Sequence, residues 1–285
     1  MYKLGIDIGA SHIGLGLYDT NQKKIIKKKY VSYKHPPKIF NIVLKKFITK
    51  RYINLLIRKI DNFIKEYKID YIGIGCPGGV DQENAIFYGS KALVVDKIDF
   101  KKELKKYNCS IYVDNDCNCA AIGEALNNDY QKFLMITIGT GVGFALVRKT
   151  RKKILLAKDE EIWKIININK IPNTKHGKYI KSFKNLSDTY NKINQKNLPR
   201  EAIFEDIKNS KHLIDKYVSD FTTGINLINK EVKIKNICIG GSFSLYKKHY
   251  LRKMQNSLEK YEIFTAKNYN DSGIIGALNL PIKRY

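Results

Sequence analysis

The chain has 285 residues, 44% of them hydrophobic, which suits two modest domains with ordinary cores and excludes a disordered chain. Its net charge of +25 looks like a nucleic-acid signal, but 45 of the 52 basic residues are Lys and only seven Arg, whereas bidentate reading of guanine or phosphate favours Arg. An AT-biased genome, visible also in the abundance of Ile, Asn and Tyr, explains the Lys excess more simply, so no specific nucleic-acid partner is expected, only a general attraction to polyanions such as nucleotide phosphates.

In chain order, "YKLGIDIGASHIGLGLYDTNQKKIIKKKYVSY" sets short β-favouring runs between glycines and the "DTNQ" turn, predicting successive antiparallel strands. From Lys38 to about Lys68 apolar residues recur at three- and four-residue steps, the pattern of an amphipathic helix or a bent pair covering one face of a sheet. "IDYIGIGCPGGVD" reads as a buried strand entering a Gly/Pro turn, "FKKELKKY" as a short helix and "CSIYVDND" as a strand. A helix follows from about Asn115 to Asn128, then a third strand, "FLMITIGTGVGFALV". Residues 148–197 are Lys- and Asn-rich with weak periodicity. "AIFEDIKNSKHLIDKYVSDFTTGINLINKEV" predicts a long helix, "IKNICIGGSFS" a strand with a glycine turn, and "SGIIGALNL" a terminal helix. Strands alternating with helices make this an α/β chain, with no tandem repeat visible.

No uninterrupted apolar run approaches the roughly 18 residues of a membrane span, and "MYKLGIDIGA" reaches Asp7 after only a short apolar run, so the expected location is cytoplasmic, with no membrane partner. Five cysteines without a regular framework suit a reducing compartment, where a buried thiol acts as a small apolar side chain. Cys117 and Cys119 would project ~200° apart on a helix, so they do not share a metal easily.

Three glycine turns follow or interrupt apolar strands: "DIGASHIG" (Asp7 to Gly14), "GTGVG" (Gly139 to Gly143) and "GGS" (Gly240 to Ser242). Such turns bring backbone N–H groups to anionic oxygens, although each alone reads as a tight β-turn. The first two lead into strand-like sequence and so are neither Walker nor dinucleotide loops, in which glycines open a helix. Carboxylates change the weighing. Asp7 lies inside an apolar strand, where an ionised group needs a partner such as a metal or water. Asp116 stands at a strand-to-helix junction in "YVDNDCNCAAIGE". One carboxylate near a magnesium–phosphate complex and another accepting a hydroxyl proton would divide the work of phosphoryl transfer; one of Asp114, Asn115 and Asp116 is also expected to cap the helix.

In order and spacing, "GIDIGASHIGLGLYD", "IGIGCPGGVD", "VDNDCNCAAIGE", "TIGTGVGF", "ICIGGSFS" and "NDSGIIGAL" resemble the ROK family (repressors, open reading frames and kinases) of the actin-like sugar-kinase superfamily. The resemblance implies an α/β protein of two actin-like (ribonuclease H-like) domains, mixed sheets flanked by helices around an active-site cleft. The N-terminal domain would be residues 1–114, completed by a C-terminal helix at 271–285, and the second domain 115–270. It implies ATP, Mg2+ and a small sugar. The first turn, with Gly9, Ser11 and His12, would be a phosphate loop with Asp7 near magnesium, through water or phosphate. Gly139, Thr140, Gly141 and Gly143 would form the second phosphate loop, and Gly240, Gly241 and Ser242 would pack near the adenosine. Asp116 matches the catalytic base that deprotonates the sugar hydroxyl, Asn115 a sugar contact, and Gly75, Pro77, Gly78 and Gly79 the sugar side of the cleft.

The sequence also departs from the family pattern. The Glu-x-Gly-His motif is reduced to "EIWK", with Glu161 kept as a sugar contact and Lys164 at the histidine position. No cysteine lies between Cys119 and Cys238, which excludes the family-type zinc. The sugar-contacting Asn after the Pro-Gly loop gives way to "GSKALVV", where Ser90 or Lys91 could substitute. His176 and Trp163 read as a loop histidine and a packing residue. The expected function is a glucokinase-like sugar kinase, against a sugar- or nucleotide-binding sensor as the alternative. A repressor would need an extra N-terminal helix-turn-helix, whereas this chain enters a strand at once. Homodimer formation is left open, since the zinc-supported segment is missing.

Overall fold

A computed structural model describes all residues except 11, 34–43, 91–92, 152, 170, 172–178 and 269–270, and all side chains of the rest except those of 168, 207 and 208. Ser11, Lys91 and His176 therefore lie outside the described residues. The chain divides into two compact units, Met1–Leu126 with Asn270–Ile282, and Asn127–Tyr269 with Lys283–Tyr285.

The first unit opens with β1 (Tyr2–Ile8), β2 (His12–Asp19) and β3 (Lys24–Ser32), paired antiparallel in succession. Helix α1 (Lys45–Ile64) follows as one helix among the described residues. Next comes β4 (Ile69–Cys76), parallel to β1. A small antiparallel sheet, β5 (Val80–Asp81), β6 (Ile86–Phe87) and β7 (Ile98–Asp99), leads to α2 (Phe100–Glu103), whose first turn is capped by Asp99 accepting from Lys102 N–H at 3.0 Å. β8 (Ser110–Asn115) joins β4 in parallel and runs straight into α3 (Asp116–Leu126). The main sheet has the order β3-β2-β1-β4-β8. Alternation along β1 and β2 sends Leu4, Ile6, Ile8, Ile13, Leu15 and Leu17 to one face. There they form a core with Tyr52, Leu56, Ile60 and Phe63, the three- and four-spaced stripe of α1.

The second unit repeats this plan without a visible sequence repeat. "FLMITIGTGVGFALV" is a hairpin rather than one strand, because the Gly139–Gly141 turn folds β9 (Lys132–Ile138) back against β10 (Val142–Lys149). β11 (Ile154–Leu156), α4 (Asp159–Ile168) and α5 (Phe183–Ile193) occupy the stretch whose sequence carried no clear periodicity. The expected long helix is interrupted. α6 (Ala202–Glu205) ends at Asp206, with φ −96° and ψ 60°, and α7 (Ile207–Val232) restarts beyond it. The Asp206 carboxylate accepts from Tyr190 and Lys196, which come from the preceding segment, and from Asn209 of α7. β12 (Asn236–Gly240), α8 (Leu251–Ser257) and β13 (Glu262–Thr265) complete the order β11-β10-β9-β12-β13, with β9, β12 and β13 parallel.

Helix α9 (Asp271–Ala277) then returns to the first unit and does not extend to 285; Lys283–Tyr285 pair with the second unit beside β11. α9 and α3 lie on the face of the first sheet opposite α1. That face is paved with Gly5, Gly14, Gly16, Gly73 and Gly75. A Cβ at Gly73 would lie 1.8 Å from Ala277 O, and one at Gly5 2.7 Å from Ile274 O. The two helices touch as closely. A Cβ at Gly276 would meet Cys119 O at 1.7 Å, and one at Gly123 would meet Ser272 O at 2.2 Å. This packing corrects the expected boundary at 114/115, because α3 belongs with α9 and the first sheet, and the division falls after Leu126.

Candidate active site

Parallel α/β sheets gather ligand-binding groups beyond the carboxyl ends of their strands, and the candidate residues of the first unit meet there. Asp7 ends β1 and is in register with Gly75 of β4, which in turn pairs with Asp114 of β8. All three point to the glycine-paved face. Asp116 opens α3 one step further on. Both Asp7 and Asp116 are half-buried. Burial, and then the charge of Asp116, push the Asp7 carboxyl up to about 7; burial likewise raises Asp116 to about 7, against the Cys117 N–H that donates to it at 2.8 Å. Among the described residues no hydrogen bond reaches the Asp7 carboxylate.

Asn115 is the residue that caps α3: its Oδ1 accepts from Cys117 N–H at 2.9 Å, while its Nδ2 donates to Gly78 O at 3.0 Å. Its side chain thus holds the Cys76–Gly79 loop against the start of α3. Gly78 needs to be glycine twice over, having φ 147° and standing where a Cβ would lie 2.9 Å from Gly89 O. Gly79 faces open space, and Pro77 is half-buried. Ser90 borders the same loop, its Cβ 3.5 Å from the position of a Gly78 Cβ. In the β1–β2 turn, Gly9 N–H donates to His12 O at 2.9 Å, Tyr33 OH donates to Gly9 O, and the His12 ring covers Gly9.

Three features escaped the sequence reading. Asp114, 1% exposed, accepts on Oδ1 from Gln82 Nε2 (3.0 Å), Asn118 Nδ2 (2.9 Å) and the Asn115 N–H (2.7 Å). Asp271 accepts from Lys28 and Tyr30 of β3. Buried Glu124 accepts from Ser272 Oγ. The motif "NDSGIIGAL" contained the signal for the last two, in polar residues ahead of a helix, but their partners are far away in sequence.

In the second unit the other two glycine turns are neighbours, since Thr137 and Gly240 pair at the ends of parallel β9 and β12. Gly139 N–H donates to Gly141 O at 2.9 Å, and the carbonyl of Gly139 accepts from Lys184 N–H of α5 at 3.2 Å. Thr140 and Gly141 are exposed, no atom lies within 4 Å of a Gly141 Cβ, and Gly143 lies in β10. Gly241 has φ 75° and packs on Ile138, 2.6 Å from a Cβ to the carbonyl oxygen. Ser242 Oγ is buried without a hydrogen-bond partner among the described residues and lies 3.8 Å from a Gly139 Cβ. The next residue, Phe243, anchors this turn in a buried cluster with Phe183 and Tyr250. Glu161 is exposed in the first turn of α4, and Lys164 is exposed too. Trp163 packs edge-on against Phe144. Cys117 and Cys119 are fully buried free thiols, as core residues should be.

Solved structures share this architecture along nearly the whole chain. A ROK family protein from Streptococcus pneumoniae, in complex with sucrose, superimposes with a TM-score of 0.74 at 18% identity, covering 98% of this chain and 96% of that one. A ROK family glucokinase from Streptomyces griseus, in complex with glucose and AMPPNP, gives 0.67 at 14% identity, covering 98% of each. The fold is therefore the one shared by these structures, α/β with mixed sheets flanked by helices. Among curated proteins, N-acetyl-D-glucosamine kinase of Histophilus somni is 26% identical over 148 residues, 50% of this chain and 45% of that protein. The xylose repressor of Bacillus subtilis is 26% identical over 155 residues, 51% of this chain and 37% of that protein. The match thus spans less than half the length of these relatives. The ROK family model matches residues 3–153, more than half of the sequence and the elements that carry Asp7, Gly75 and Asp116, and the chain belongs to the ROK family.

Proposed function

We propose that the protein is an ATP-dependent sugar kinase that transfers the γ-phosphoryl group to a hydroxyl of a hexose or N-acetylhexosamine. The observation that carries this reading is the pair Asp7 and Asp116, two half-buried carboxylates, one near the carboxyl end of β1 and one just past β8, each pushed up to about 7. A general base works best with a pKa near the working pH, and Asp116 has that value at a helix start. Its role is to accept the proton of the attacking hydroxyl while Asn115 holds the Gly78 loop beside it. The carboxylate of Asp7 suits a hard divalent cation, which takes oxygen ligands and is commonly held by one or two carboxylates plus substrate phosphates. Bound magnesium would neutralise phosphate charge. Among the described residues no group of three His, Cys, Asp or Glu forms a cage, which agrees with a metal that arrives on the nucleotide. For the nucleotide itself, the open Gly139–Gly141 turn and the unpartnered Ser242 Oγ offer donors to phosphate or adenosine oxygens.

The named activities of the relatives, kinases of N-acetyl-D-glucosamine and glucose, support the substrate class. The reading carries with it a cytoplasmic protein with no zinc and no specific nucleic-acid partner; sedimentation would tell monomer from homodimer. A second reading, a sugar or nucleotide sensor, is favoured by exposed Glu161 with Lys164 at the histidine position of the family motif, and by the repressor among the relatives. ADP release against a panel of hexoses and N-acetylhexosamines separates the two. Turnover with at least one sugar is expected; ATP binding with no ADP released for any sugar would replace the kinase by the sensor.

A further inference from the structure

The wall behind Asp7 is built from α9. A Cβ placed on Gly273 would lie 2.6 Å from Asp7 Cγ and 2.7 and 2.8 Å from its two carboxylate oxygens. Any side chain there would occupy the space of the carboxylate itself. The backbone gives no other reason for glycine at this position: Gly273 is helical, outside the positive-φ set of Gly78, Gly89 and Gly241, and glycine inside a helix is less favourable than alanine. Nor can the turn easily back away. On one side of Gly273, Asp271 is held by Lys28 and Tyr30 of β3; next to it, Ser272 Oγ is held by buried Glu124 of α3. One residue beyond these anchors, the helix presents no side chain at all to Asp7.

We infer that Gly273 is a positioning residue: the first turn of α9, anchored through Asp271 and Ser272, is a side-chain-free wall that fixes the direction of the Asp7 carboxylate toward a divalent cation. The inference rests on the kinase reading for the cation's role, but its test does not need turnover. Mn2+ binding to the full chain is read by electron paramagnetic resonance, alone and with ADP, for wild type, Asp7→Asn, Gly273→Ala and Asp271→Asn. Asp7→Asn should remove the site. Gly273→Ala should weaken Mn2+ by about tenfold, the size of loss seen when a supporting group of a metal ligand is altered, and should raise the Mg2+ requirement for ADP binding while the far-UV spectrum stays native. Asp271→Asn, which releases an anchor without adding atoms, should weaken it less. Wild-type Mn2+ affinity in folded Gly273→Ala overturns the proposal, as does a wild type that binds no Mn2+. If Gly273→Ala fails to fold, Asp271→Asn decides, and unchanged affinity there overturns it equally. A protein whose Mn2+ affinity depends on Gly273 but which phosphorylates no sugar keeps this inference and loses the kinase. A working kinase indifferent to Gly273→Ala does the reverse.

Discussion

Asp7 and Asp116 illustrate what burial does to a carboxylate whose partner is another carboxylate. Removal from water favours the protonated form, and at Asp7 the neighbouring charge adds to it, so both are raised to about 7. The sign for the proposed kinase follows directly. The base must be unprotonated, so kcat/KM should rise as pH climbs through about 7 and level off above it. Asp116→Asn should lose about 10²- to 10⁴-fold in turnover and keep ATP affinity; a pH–rate profile of wild type without an acid limb near neutrality would remove Asp116 from the role of base. The place of Asp116 was legible in the sequence because an apolar strand followed by small residues marks the junction. Asp114 was not. A carboxylate at 1% exposure makes sense only beside its donors, and Gln82 comes from the turn between β5 and β6, 32 residues away.

Elements were read best where periodicity was strong and one-sided. The three- and four-residue stripe of α1 and the run into β4 appear as expected, because each buries a single face. Reading failed where a side chain or a turn overruled the pattern: at Asp206, whose partners Tyr190 and Lys196 belong to another segment, and at the "GTGVG" hairpin, where apolar residues continue on both sides of the turn. The contact of α3 with α9 was equally hidden, since it depends on what is missing, namely Cβ atoms at Gly123 and Gly276. Gly276→Ala would force a methyl to within 1.7 Å of Cys119 O, and overpacking of this kind costs about 1–3 kcal/mol or more. Urea denaturation should show the midpoint falling by a corresponding amount; an unchanged midpoint would mean that the two helices part without loss.

At the scale of the whole molecule, two units repeat one strand order, three antiparallel strands extended by two parallel ones, although their sequences show no repeat. The first unit is discontinuous, its last helix arriving after Asn127–Tyr269 of the second unit. Removing residues 271–285 would strip the glycine-paved face of α9 and expose β1 and β4. Hydrogen exchange on such a truncated chain should show protection lost in β1, β4 and α3 and largely kept in β9 and β12; retained protection in β1 would show that α9 is dispensable to its unit. The family and the fold were legible from ordered motifs, whereas the division after Leu126 was not, because it is set by packing that only the folded chain reveals.

The glycine face has a consequence for the order of assembly. A ribosome delivers Asp7 well before Gly273, so Asp7 has no back wall while residues 127–269 of the second unit are being made. Domains usually fold as they emerge, yet this one must wait with a bare sheet face for a helix about 260 residues later in the chain. The Asp7 carboxylate thus meets its wall only after the strands of both sheets have been made.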